Sequence, residues 1–183
     1  MPEARIEPTQ HGLIPAERGW HVLNLAQCAW KKNERFGTYA LLEGPQRFQQ
    51  LGVNVHVLQP EQAACLYHAE SQEEAFLVLE GEALLLVDGE ERRLSRWDFV
   101  FCPPGVPHVF IGAGEGPCAL LMMGSRSPSA SVTYPKNELA ASHQASADRT
   151  VGSPAEAYAG SPPWEWGTNP WPLRPDDGAA ADP

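Results

Sequence analysis

Four side chains within 41 residues of this 183-residue chain can do chemistry together: His68, Glu70, Glu74 and His108. His68 and Glu70 stand two residues apart, so on an extended backbone they share a face. Glu74 follows after a three-residue connection and opens an apolar run; an antiparallel return brings it toward that face. His108 arrives from much later in the chain, behind Pro103-Pro104-Gly105-Val106-Pro107. Two imidazoles with one or two carboxylates are a donor set for one divalent metal ion, with iron, manganese, zinc and nickel as candidates. Two histidines and one carboxylate on one face also match the arrangement of non-haem iron(II) oxygenases. His68, Glu70, Glu74 and His108 are therefore the expected metal ligands. Glu70 has a second reading, as general acid or base beside a metal-bound water.

Each residue also has a plainer reading. Glu74 could cap a strand or pair with Arg92 or Arg93, and Glu73 is expected to face solvent. His56 shares a strand face with Asn54; an exposed face is preferred over a pocket wall. Tyr67, next to His68, should point away from it. Cys65 and Cys102 fit small buried hydrophobes. His143 is expected to be solvated, and Met122-Met123 to be core.

The elements that must position these residues are strands. Trp20–Leu25, Phe36–Gly44 and Val53–Leu58 read as strands; the last alternates, with Val53, Val55 and Val57 on one side. Glu74–Gly81 follows, then Glu82 onward, where Asp88-Gly89 between apolar runs signals a two-residue hairpin. Leu84 to Val87 are apolar on both faces, so this strand is expected to be covered twice. The stretches around Phe99, Val109 and Cys118–Gly124 complete about nine strands, the signature of an all-β sandwich or barrel. Residues 1–18 read as an N-terminal arm, 19–126 as the barrel, and 127–183 as a C-terminal extension. In that extension Lys136–Ser146 and SPAEAYAG offer short helices. Trp164, Trp166 and Trp171 among prolines are expected to lie against the barrel or a partner subunit. The final DDGAAADP is expected to fray.

Composition bounds the partners. A net charge of −10 and a pI near 5.0 argue against nucleic acid, and disfavour a highly anionic substrate unless a metal binds it directly. No apolar run approaches a membrane span or a secretory leader. Cys28, Cys65, Cys102 and Cys118 form no CxxC pair, which fits reduced thiols and a cytoplasmic protein.

Residues 52–124 resemble the cupin family. Its first motif runs glycine, five residues, His-x-His, three or four residues, Glu, six residues, Gly. His68-Ala69-Glu70, three residues, Glu74, six residues and Gly81 fit its later part. Its second motif runs Pro-x-Gly, two residues, His, three residues, Asn; Pro103 to His108 fit it. Glu70 stands where the second histidine belongs, Pro60-Glu61-Gln62 where the leading glycine belongs, and Gly112 where the Asn belongs. A four-residue count would put Tyr67 and Ala69 at the histidine positions and turn His68 outward. The resemblance implies a double-stranded β-helix, a jelly-roll barrel, and a homodimer. It implies a mononuclear metal enzyme acting on a small polar metabolite, by oxygenase, isomerase or lyase chemistry. Two other readings follow from it: a non-catalytic binding or sensing module, and a metal-free sugar-nucleotide epimerase using a His base and a Tyr acid.

Overall fold

The computed structural model describes residues 2–171, so the DDGAAADP terminus lies outside the described residues. In chain order the strands are β1 (Ile6–Thr9), β2 (Gly12–Pro15), β3 (Trp30–Asn33), β4 (Gly37–Ala40), β5 (Leu51–Leu58), β6 (Ala69–Glu70) and β7 (Glu74–Glu80). They continue as β8 (Glu82–Val87), β9 (Glu90–Ser95), β10 (Phe99–Cys102), β11 (His108–Ala113), β12 (Cys118–Ser125) and β13 (Val132–Thr133). The short helices α1 (Glu138–Ser142) and α2 (Pro154–Ala157) follow, then β14 (Glu165–Gly167). The all-β expectation holds.

Two antiparallel sheets enclose the interior. One runs β10-β7-β12-β5-β4-β3-β14, the other β11-β8-β9. Between them Leu58, Phe76, Val78, Leu85, Phe110 and Leu120 form an apolar core. Burying such side chains contributes about 1.5–3 kcal/mol each. Leu86, Val109 and Ile111 face the other way and pack with Tyr67, Ala140 and Ala145. The β8–β11 sheet is thus covered on both sides, as the unbroken apolar run of β8 requires.

The Asp-Gly turn joins β8 to β9 with both residues at positive φ, 49° and 80°, the conformation that a two-residue hairpin needs. Gly81, the closing residue of the first motif, has φ 73°, and a Cβ there would lie 2.5 Å from the Pro117 carbonyl oxygen. Gly112 explains one departure from the motif. A Cβ there would lie 2.1 Å from the Gln59 carbonyl oxygen, so no asparagine fits. One residue before the place of the motif's leading glycine, Glu61 adopts a left-handed φ of 67°.

Within the N-terminal arm, residues 6–15 form the β1–β2 hairpin. Two expectations need correction. Trp20–Leu25 is no strand: the Asn24 side chain accepts the Ala26 N–H, and its carbonyl accepts those of Gln27 and Cys28, which turns the chain. Trp20 and Val22 are exposed, while Leu23 and Leu25 pack beside Trp30. His56 is not on an exposed face. Val55 and Val57 pack outward against Cys28 and Trp30, which leaves His56 pointing into the barrel. Its Nε2–H donates to the Phe36 carbonyl at 2.8 Å, and burial pushes its pKa down to about 4.

The extension past β12 returns to the barrel. β13 pairs with β6, and β14 adds to the edge of β3. Trp166 stacks on His11, under the Lys31 ammonium, while Trp164 meets Tyr39 edge-on. Trp171 packs with the Trp30 cluster.

Candidate metal centre

His68 and His108 are brought together by the backbone. Each donates its N–H to the other's carbonyl, at 3.1 Å and 2.8 Å, in an antiparallel bridge. Directly opposed residues in such a bridge project to the same face. The two imidazole rings accordingly lie 5.1 Å apart. Glu74 begins β7, and its Oε2 stands 3.5 Å from His108 Nε2. One donor atom from each of His68, Glu74 and His108 lies within 4.8 Å of the others. This geometry turns His68 inward, as the three-residue count requires.

Hydrogen bonds fix the tautomers. His68 Nδ1 donates to the Leu66 carbonyl at 2.9 Å, and His108 Nδ1 donates to the Val106 carbonyl at 3.0 Å. A ring nitrogen facing a carbonyl must carry the proton, which leaves each Nε2 with a free lone pair. Burial lowers the pKa of both rings, that of His68 to about 4, with the neighbouring His108 a lesser cause. They are neutral, unprotonated donors at neutral pH.

His108 Nε2 is buried and has no hydrogen-bond partner. The 3.5 Å approach of Glu74 is no salt bridge, because a neutral imidazole has no proton on that nitrogen to share. A lone pair therefore faces a carboxylate, an arrangement that is repulsive until a proton or a cation lies between them. Burial, then the charge of Glu70, raises the Glu74 pKa to about 7. The donor set fits a borderline divalent ion held by two imidazoles and a carboxylate.

Glu70 lies on β6 and lines the same cavity, of about 750 Å³, but is not one of the three converging donors. Burial raises its pKa. Its carbonyl accepts the Gly105 N–H at 2.8 Å, which ties β6 to the turn before His108. Neither arginine suggested as a partner for Glu74 pairs with it; Arg92 bonds Glu90. Glu73 is exposed. Tyr67 points away from His68, and its hydroxyl accepts the Gly89 N–H at 3.3 Å. Met122 and Met123 are half-buried and line the cavity. His143 is near the surface, 3.3 Å from Glu91.

Sequence reasoning missed Tyr134 and Tyr158. The Tyr134 ring lies over His68, 5.8 Å between centroids and 30° from parallel. The Tyr158 hydroxyl accepts the Leu66 N–H at 3.1 Å. The peptide whose carbonyl orients His68 is thus held from the extension. No local pattern marks a tyrosine 92 residues away in sequence. Cys65 was expected to be a small buried hydrophobe; its Sγ lies 3.5 Å from His68 Nδ1 on the cavity wall.

Residues 54–124 match the family model for the cupin domain. Dimethylsulfoniopropionate lyase DddQ of Ruegeria pomeroyi is 33% identical over 110 residues, 58% of this chain and 54% of that protein. The chain thus spans about half the length of this curated relative. Among solved structures, a sugar phosphate isomerase of the cupin superfamily from Silicibacter pomeroyi superposes with a TM-score of 0.50 at 24% identity, covering 76% of this chain and 81% of that one. The polyketide cyclase RemF from Streptomyces resistomycificus superposes at 0.46 and 17%, over 69% and 78%. At 24% identity the first of these likenesses concerns the fold. The sequence match and the two-sheet barrel identify residues 54–124 as a cupin domain.

Proposed function

We propose that the protein is a metal-dependent cupin enzyme that moves a proton on a small polar metabolite, in lyase or isomerase chemistry. His68 Nε2, His108 Nε2 and a Glu74 oxygen would hold one divalent ion. The buried, partnerless His108 Nε2 facing Glu74 carries this reading. Such an ion, when bound, polarises a substrate oxygen as a Lewis acid. The rest is done by the chain. Carbonyls 66 and 106 hold the rings in one tautomer, and burial keeps them unprotonated. Glu70, its pKa raised by burial, accepts and returns the substrate proton closer to neutral pH than a free carboxylate would. The match to a dimethylsulfoniopropionate lyase supports the lyase branch. Tyr67, turned toward Gly89, weighs against a metal-free epimerase that would pair it with His68.

Metal analysis of the full chain, purified without a histidine tag, tests the proposal. About one ion per chain is expected, and loss of that ion should lower the melting temperature. A trace of metal that leaves stability unchanged would favour a non-catalytic small-molecule binder. The absence of the second motif imidazole, with Glu70 outside the three-donor group, is what favours that alternative.

Two further parts of the proposal concern assembly and location. All four cysteines are free, and no helix among the described residues is long and apolar enough to cross a membrane, which accords with a cytoplasmic protein. A homodimer accords with the exposed Trp97, Phe99 and Phe101 at β10, the end strand of the larger sheet among the described residues. Light scattering that finds a monomer at micromolar concentration would remove the dimer.

A further inference from the structure

On β12 Met122 and Gly124 line the cavity, and Arg126, one residue past the strand end, lines it too. Gly124 marks the cavity side: a Cβ there would lie 3.6 Å from Glu74 Cγ and 3.9 Å from Oε1. Gly52 is directly opposite Gly124 in register, so it shares the face. A Cβ on Gly52 would meet Arg126 Nε at 3.2 Å, Nη2 at 3.3 Å and Cζ at 3.5 Å. The guanidinium therefore lies over Gly52. Two residues without side chains leave the floor open between it and Glu74.

One corner of that guanidinium is already held. Arg126 Nη1 donates to the Phe48 carbonyl at 2.7 Å and to Glu43 Oε2 at 3.1 Å, and its charge lies 2.9 Å from Glu43 Oε1. Nε and Nη2 make no hydrogen bond among the described residues, and neither is a buried orphan, so both remain accessible. Their parallel N–H groups form the planar fork that grips a carboxylate or a phosphate with two bonds, which a lysine cannot do. Arg47 lines the same cavity and adds positive charge. The net charge of −10 disfavours polyanions at long range, but this fork acts at contact distance.

We infer that the cavity takes a small organic anion, whose oxyanion end is seated on the Nε–Nη2 edge of Arg126 and whose other end reaches His68, Glu74 and His108. The inference rests on the metal-enzyme reading for that second end alone. Glu43 offsets part of the arginine charge, which suits a singly charged carboxylate or a phosphomonoester of low charge.

Calorimetric titration of the full chain with propionate, glycerol phosphate and the neutral propionamide tests this, in metal-loaded and metal-stripped protein. At least one anion should bind. Its affinity should exceed that of propionamide, and should fall about tenfold in Arg126→Lys, as loss of a charged bidentate contact requires. Metal content should not change in that variant. Whichever anion binds more tightly assigns the class, carboxylate or phosphate. The Arg126 dependence should survive metal stripping, so it can be read even if no ion belongs to the protein. Equal binding of propionamide, no binding of either anion, or affinity unchanged in Arg126→Lys would overturn the inference. So would anion binding that disappears with the metal. If Arg126→Lys does not fold, Glu43→Gln decides: with the competing carboxylate gone, anion affinity should rise, and an unchanged or lower value would overturn the inference.

Discussion

The two imidazoles of the candidate centre are secured in different ways. His108 is oriented from within its own turn: Val106, two residues earlier, supplies the carbonyl that fixes its tautomer. His68 is oriented by Leu66 in the same local manner, but the Leu66 peptide is held by Tyr158 and the His68 ring is covered by Tyr134. The neighbouring Tyr67 N–H is taken by the Ala145 carbonyl at 2.6 Å, and β6 pairs with β13. Half of the centre is thus built into one motif, and the other half depends on a segment that the barrel itself does not supply. Groups that orient a ligand from behind tune metal affinity without touching the metal.

Replacing a donor should have the largest effect. His108→Ala should reduce bound metal from about one ion per chain to a trace, read by elemental analysis of folded protein. Breaking the long-range support should come next. Tyr158→Phe keeps the ring but removes the acceptor of the Leu66 N–H. Metal affinity should fall about tenfold, by chelator competition, as for other outer contacts to ligands. Stability should fall by about 1 kcal/mol. Wild-type affinity in Tyr158→Phe would erase the contrast between the two halves.

The pH dependence sharpens the comparison on the carboxylate side. The pKa of Glu74 is raised to about 7 in the folded chain, against 4.5 when free. Between those values the folded state holds a proton that the unfolded state has lost, so this group's contribution to stability declines as pH rises toward 7. His68 and His56, both lowered to about 4, act oppositely: their contribution is lost as pH falls from 6.5 toward 4. Metal-free Glu74→Gln should therefore gain stability relative to wild type between pH 5 and pH 8, by up to about 3 kcal/mol in denaturant titrations. Metal binding to wild type should release about one proton near pH 6 and none near pH 8.5. The smallest effect belongs to Tyr67→Phe. It removes the acceptor of the Gly89 N–H, on the far side of the backbone from the candidate metal centre. Metal affinity should not change, and melting should shift by only a few degrees.

Much of the fold was legible because strand alternation and the Asp88-Gly89 turn are local signals. The convergence of His68, Glu74 and His108 was legible because two motifs placed them on inward-facing positions. What was missed depended on tertiary context. The side of β5 that faces inward is chosen by Trp30 and Cys28 packing on its valines, so polar His56 ended inside. The apolar run at Trp20 promised a strand, but Asn24 turned it. Tyr158 and Tyr134 reach the centre only through the return of the extension. Arg126, one residue past the end of β12, lay outside the strand pattern.

The dependence of His68 on Tyr158 has a temporal side. Chains emerge from the ribosome N-terminus first, and domains organise as they appear. His68, Glu74 and His108 all precede Tyr158 in the chain, so they are added first. The nascent cradle thus exists for some seconds with one wall unbraced, at translation rates of about 5–20 residues per second. Ions captured in that interval would exchange readily, and tight retention would begin only when the closing tyrosine docks.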